Sequence, residues 1–217
     1  NTTNNTRPVV NIQGGTFEID DQFRFGDQRG DPVVPMLATL NLYGGTVRHT
    51  NPAPSTQGMV FGWRDPGCNG TLNLFGGLVD ERYQVKLGQY GSTSRLNLHG
   101  GVLRAQNIIQ SNPNTNYGQS YLYWNGGTFQ PNAAAQILSG LTSATVSTNG
   151  ACIDTSLADF TVTQNLLHDS VLGASPDGGL VKLGTNTLTF ASYGSTYSGA
   201  TTVSNGTLLI ASTLPSA

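Results

Sequence analysis

The fold class this sequence predicts is all-β, a right-handed parallel β-helix of about eight coils. Three observations predict it. A Gly-Gly pair recurs along the chain. Apolar residues alternate on either side of each pair. Gly, Asn and Thr fill the positions between them, and no window is dominated by strong helix formers.

The repeat is clearest in five segments, VVNIQGGTFEI, TLNLYGGTVRH, TLNLFGGLVDE, RLNLHGGVLRA and YLYWNGGTFQP. Their second glycines are Gly15, Gly45, Gly77, Gly101 and Gly127. Weaker versions follow at Asn149-Gly150, Gly178-Gly179 and Asn205-Gly206, with successive spacings of 30, 32, 24, 26, 23, 29 and 27 residues. Periods of this size belong to solenoids, in which each unit buries its apolar face only by stacking on its neighbours. One solenoid is expected over residues 1–217, with Gly-Gly-centred coils over 1–148 and C-terminal coils over 149–217.

Alternation with period two sets the first strand of each coil and the strand after the glycines. Three inward columns result. The first holds Val10, Leu40, Leu72, Leu96 and Leu122; the second holds Ile12, Leu42, Leu74, Leu98 and Trp124; the third holds Phe17, Val47, Val79, Leu103 and Phe129. Coils about 4.8 Å apart turn each column into a continuous apolar stack. The glycines turn the corner, where a positive φ or a close backbone approach is needed. A further strand follows in most coils, as in Phe23 to Gly26, Val60 to Gly62 and Val85 to Gly88. Polar stretches such as Asn51 to Gln57 and Ser111 to Gln119 read as loops leaving the coil.

The outward positions carry a second pattern. Asn11, Asn41, Asn73 and Asn97 occupy one column, followed by Tyr123. Stacked amides of this kind hydrogen-bond from strand to strand. Glu18, Arg48, Asp80, Arg104 and Gln130 occupy another, with the sign alternating from coil to coil. Each carboxylate then faces an arginine, and a slipped coil opposes like charges.

Composition narrows the function. Charged residues are 10% of the chain and the formal net charge is −2, which gives no reason to expect nucleic acid or an anionic membrane as partner. No apolar run reaches the roughly 18 residues of a membrane span. The sequence starts at Asn1 without a Met, which predicts a trimmed or excised product. Cys68 and Cys152 follow no metal-binding spacing. The register puts Cys152 in an inward column as a buried thiol and leaves Cys68 in a turn with access to solvent.

The C-terminal third is the most specific segment. Asp177-Gly178-Gly179-Leu180-Val181-Lys182-Leu183-Gly184 is followed by Thr187-Leu188-Thr189-Phe190, by Thr196-Tyr197-Ser198-Gly199 with Thr201-Thr202-Val203, and by Asn205-Gly206-Thr207-Leu208-Leu209. This closely resembles the passenger-associated-transport repeat, also called the autotransporter-associated β-strand repeat, of bacterial surface proteins. Asn149 to Asp169 resembles the segment that often leads into it. The resemblance implies an exported bacterial chain of parallel β-helical build, part of a longer surface protein. It implies no catalytic residues.

Candidate chemistry is sparse. Arg29-Gly30-Asp31 spells an adhesion-type tripeptide inside a turn sequence. Asp20, Asp21, Asp27 and Asp31 cluster loosely and raise the question of calcium, but Arg48 and Arg104 interrupt the one acidic column. No paired carboxylates recur on consecutive coils, and no nucleophile signature is present. His49, His99 and His168 are scattered, with His99 in an outward column beside Gln13, Tyr43, Phe75 and Asn125. Four Asn-x-Thr tripeptides, at Asn1, Asn4, Asn69 and Asn205, match the glycosylation pattern. Tyr43, Phe75, Trp63 and Tyr117 are the candidate interface or glycan surface, since aromatic faces stack on sugars or pack on a partner.

The expectation is therefore a non-enzymatic extracellular structural protein on the bacterial surface, without cofactor or metal. It would be a subunit of a fibre or a stalk segment of an adhesin. The open edges of its terminal coils would join head to tail with other copies, or continue in a longer chain. A glycan-binding module is the alternative and a β-helical polysaccharide lyase a more distant one. Neither nucleic acid nor membrane insertion is expected.

Overall fold

The computed structural model describes residues 7–27, 36–50, 58–63, 67–110 and 118–215. Each complete coil is built from three strands. Leu37–Leu42, Thr46–His49 and Met59–Trp63 form one, and Asn69–Leu74, Leu78–Asp80 and Gln84–Leu87 form the next. Equivalent strands of successive coils pair in parallel. The first position gives a seven-stranded sheet running from Val9–Ile12 to Leu166–His168. The second gives an eight-stranded sheet from Thr16–Ile19 to Thr201–Val203. The third gives two four-stranded sheets, one from Phe23–Asp27 to Asn107–Gln110 and one from Gln136–Leu138 to Thr207–Ile210. A single parallel bridge, Ile109 to Ser139, joins them. The chain is thus an all-β parallel β-solenoid. A 3₁₀ turn at Ser170–Leu172 is the one helical element among the described residues.

The core lies inside the three walls. Leu40, Leu72, Leu96 and Leu122 pair in register, as do Leu42, Leu74, Leu98 and Trp124, and both rows are fully or almost fully buried. Val47, Val79, Leu103 and Phe129 line up in the same way on the second wall and are fully buried. Val10, Ile12 and Phe17 are in register with Leu40, Leu42 and Val47 but are not core. Val10 is 37% and Phe17 41% exposed, and Ile12 is only partly buried. The reason is geometric. Their coil has a described neighbour on one side alone, so the inward face lacks its second layer.

The corners explain the glycines. Gly45 has φ +81°, and a Cβ there would lie 2.4 Å from the Gly15 carbonyl oxygen of the preceding coil. Both the left-handed conformation and the backbone approach demand glycine. In the fifth coil the positive φ falls on Gly126 instead of Gly127. The pairing therefore steps by 24 residues, with Thr128 opposite Cys152 and Phe129 opposite Ile153. Ile153, not Cys152, is the buried member of the inward column, and Cys152 is half-buried on the other face. Cys68, expected in contact with solvent, is buried.

The last coil also departs from the Gly-Gly spacing. Leu180 pairs with Thr201, a step of 21 residues, so Gly199-Ala200 turns the corner. Asn205-Gly206 instead precedes the third strand, where Thr187 pairs with Thr207. No first-position strand follows Leu166–His168 among the described residues. Its edge is met by the backbone N–H groups of Thr196 and Tyr197, which both donate to the Leu166 carbonyl.

Candidate functional site

Sequence places the outward ladders on the walls of the solenoid, and the structure shows how each is bonded. Asn41 donates to Asn11 at 2.8 Å, Asn73 to Asn41 at 2.7 Å and Asn97 to Asn73 at 2.7 Å. Asn41 and Asn73 each give one hydrogen bond down the axis and accept one from above, while Asn11 only accepts and Asn97 only donates within the row, which is the geometry of a stacked amide ladder. Tyr123 ends it. Its hydroxyl turns aside to Ser147 Oγ at 2.8 Å and Asp169 Oδ2 at 3.1 Å.

On the second wall Arg48 pairs with Glu18, and Arg104 Nη1 lies 3.4 Å from Asp80 Oδ1. Arg104 Nε also donates to Gln130 Oε1 at 2.8 Å, and Gln130 Nε2 donates to Asp154 Oδ2 at 2.8 Å. Each acid of this row is bonded to a neighbour on the next coil, so the row presents no free carboxylate pair for general acid–base work. Asp20 accepts from Thr50 at 3.3 Å. Among the described residues no three His, Cys, Asp or Glu side chains converge as a metal site would need. Arg29-Gly30-Asp31 lies outside the described residues.

The aromatic candidates separate. Tyr43 and Phe75 are exposed at 49% and 42%. Their rings are parallel within 6°, with centroids 4.9 Å apart, and Phe75 stacks on His99 at 4.9 Å and 9°. The rings are piled along the solenoid axis, so each covers its neighbour's face and offers solvent an edge. A sugar stacks on a face, so this row serves coil-to-coil cohesion better than glycan capture. Burial pushes the His99 imidazole below its ordinary value. Trp63 is not a surface aromatic. It is 6% exposed in the all-buried strand Met59–Trp63, with the Arg24 guanidinium 4.3 Å from its ring and Tyr90 edge-on. Tyr117 lies outside the described residues.

Three polar clusters are not legible as sites in the sequence. His49 and Glu81 are buried together, with His49 Nδ1 3.1 Å from Glu81 Oε1. Burial pushes the Glu81 carboxyl up, against the Tyr83 N–H and His49 that bond it. A second cluster sits beside the 3₁₀ turn. His168 Nδ1 is 2.7 Å from Asp177 Oδ2 and 3.0 Å from Ser198 Oγ. Serine, histidine and aspartate meet here, but both partners share one ring nitrogen. A nucleophilic relay needs them on opposite nitrogens. Burial opposes the Asp177 carboxylate, yet the backbone N–H of Ser198, His168, and the N–H groups of Gly199 and Gly179 together hold it below the usual range. The Asp177 hydrogen bond raises His168.

The third is Lys182. It occupies the inward column of the second wall, opposite Ile153 and Val203, and is 0% exposed. Its ammonium donates to the carbonyls of Leu183 at 2.7 Å, Gly184 at 2.7 Å and Asn205 at 3.0 Å. All three donors are satisfied by backbone oxygen, which offsets the cost of burying the charge. Burial lowers its pKa, while Asp154 and Asp159 act the other way.

With this geometry in place, comparison with known proteins adds one match. Residues 180–210 match the family model of the passenger-associated-transport repeat, covering the strands Leu180–Leu183, Thr187–Phe190, Thr201–Val203 and Thr207–Ile210. Searches of curated proteins and of solved structures gave no match.

Proposed function

We propose, taking the transport repeat at residues 180–210 as premise, that this chain is a non-enzymatic structural segment of an extracellular bacterial surface protein. It serves as a stalk or fibre element whose purpose is length and stiffness. The observation that carries this reading is the state of the outward ladders. Asparagine, charge and aromatic rows are all bonded along the axis to the next coil, not aimed at a common point. A catalytic centre converges several groups on one reacting atom. These rows hold register instead. Joining of the terminal coils to other copies, or to further coils of a longer chain, fits the partly exposed apolar residues Val10 and Phe17 at one end and Val203 and Leu209 at the other.

Negative-stain electron microscopy of the purified chain tests the proposal. Uniform rods or fibres of solenoid width are expected. Compact particles that release sugars from a polysaccharide panel would overturn it.

A second reading has one observation in its favour. A shallow groove on the first wall is lined by Arg7, Arg95, Thr39, Thr71 and Asn69 together with apolar Val9, Leu37 and Ala38, and its two cations, two hydroxyls and one amide favour an acidic polysaccharide. Affinity for such a polymer that disappears in Arg95→Ala would favour this binding role.

A further inference from the structure

We infer that Asn205-Gly206 is a self-modifying step, at which the chain converts Asn205 to aspartate or isoaspartate through a cyclic imide. The chain contains four Asn-Gly dipeptides, at Asn69, Asn125, Asn149 and Asn205. Only a backbone nitrogen that can reach the side-chain carbon of the preceding asparagine can close the ring. The four differ in this respect.

At three of them the parts are held elsewhere. Gly70 is buried within the strand Asn69–Leu74, and Asn69 Oδ1 accepts from Thr93 N at 3.0 Å. Gly126 N donates to Gly150 O at 2.8 Å, and Asn125 Oδ1 accepts from Asn149 N at 2.9 Å. Gly150 is buried, and its N donates to Ser147 O at 2.9 Å. Asn205 and Gly206 are both exposed, and the Asn205 side chain is folded back so that Gly206 N donates to its Oδ1 at 2.8 Å. The carbon under attack is the one bonded to that oxygen. Gly206 has φ +70°, and a Cβ there would lie 2.4 Å from the Gly184 carbonyl oxygen, so glycine is required and no side chain shields its nitrogen.

A second, independent feature activates the nitrogen. The peptide carbonyl between Asn205 and Gly206 accepts from the buried Lys182 ammonium at 3.0 Å. When Gly206 N gives its proton to water, the charge spreads onto that oxygen, where a fixed cation already stands. The nitrogen then forms a bond to Asn205 Cγ. The Cγ–Nδ2 bond breaks and ammonia leaves, taking up a proton from water. Water next adds to one of the two ring carbonyls. Opening one side gives aspartate, and opening the other gives isoaspartate. The isoaspartate runs the main chain through the former Cβ. The former Asn205 carbonyl, the one that Lys182 holds, becomes a free carboxylate, and the extra atom takes Thr207 out of register with Thr187. The step therefore acts as a timed release of the last strand, Thr207–Ile210.

The test is a time course of the intact folded chain at mildly alkaline pH, followed by peptide mapping for the amide-to-acid mass change and by an isoaspartate assay. Conversion at Asn205 is expected to run about tenfold or more ahead of the other three sites, one unit of N–H acidity being a factor of ten. In urea the four rates should converge. Lys182→Met, checked for native circular dichroism, should slow Asn205 by about the same factor. Asn205→Gln should remove the signal. Equal rates at all four sites of the folded chain would overturn the inference, as would an unchanged rate in folded Lys182→Met. If Lys182→Met does not fold, the folded-against-urea comparison decides alone.

Discussion

Asn73 Nδ2 donates to Asn41 Oδ1 at 2.7 Å, one coil away, while its own Oδ1 accepts from Asn97 at the same distance. Both bonds are partly shielded from water. Substituting Asn73 by Leu removes two bonds and leaves a donor and an acceptor unpaired. The expected loss is about 1–3 kcal/mol in urea unfolding. Asn11 stands at the end of the row with one such bond, so Asn11→Leu should cost less than Asn73→Leu.

Leu74 is fully buried between Leu42 and Leu98. Leu74→Ala should destabilise by about 2–5 kcal/mol, through lost transfer energy and the cavity left behind. Val10→Ala, at a 37% exposed position of the first coil, should cost far less. Equal melting temperatures for the two variants would contradict the register.

The charge row makes a sharper demand. Arg104 faces Asp80, and Asp80 is in register with Arg48 on its other side. Reversing Arg104 to Glu sets two acids on neighbouring coils and should lower stability by about 1 kcal/mol, more at low salt than at high salt. Exchanging the two charges, Asp80→Arg with Arg104→Asp, should not restore it, because the introduced guanidinium then meets Arg48. Chemical denaturation at two ionic strengths reads both.

Near the 3₁₀ turn stability should depend on pH from two sides. Asp177 and Asp169 are held below their ordinary value of 3.8, so their contribution is full above that value and fades as pH falls through the depressed range. His168 is raised above 6.5, so its contribution is full below 6.5 and fades as pH rises through the elevated range. Hydrogen-exchange protection of the Ser198 and Gly199 amides, both bonded to Asp177, should peak between the two. His168→Gln should flatten the alkaline limb and, because His168 helps hold both acids low, move the acid limb to higher pH.

Much of this is legible in the sequence because a strand has a two-residue period and a solenoid repeats it. Leu40, Leu72 and Leu96 announce one column by alternation alone. Where the repeat slides, alternation misleads. Moving the positive φ from Gly127 to Gly126 exchanges Cys152 for Ile153 at the core, since a one-residue step turns every side chain over. Trp63 escapes the pattern for another reason. Its strand is buried on both faces, so it shows no alternation to read. Lys182 is invisible because an ammonium in an apolar column contradicts the pattern, and the three carbonyls that satisfy it come from backbone, which every residue type supplies. His168 and Asp177 are nine residues apart across a turn, and Ser198 joins them from the next coil, a proximity that no local spacing encodes.

The parallel ladders also fix how the molecule bears load. The bonds between coils run along the axis, from Val9–Ile12 at one end towards Thr207–Ile210 at the other. A pull on the two ends sets those bonds in series, and the terminal coil, paired on one side, yields first. The next coil then becomes terminal. Steps of 20 to 36 residues between paired strands release about 70–130 Å of chain at each event. Under tension the solenoid would unreel one coil at a time, spreading a sudden force over many small extensions instead of a single rupture.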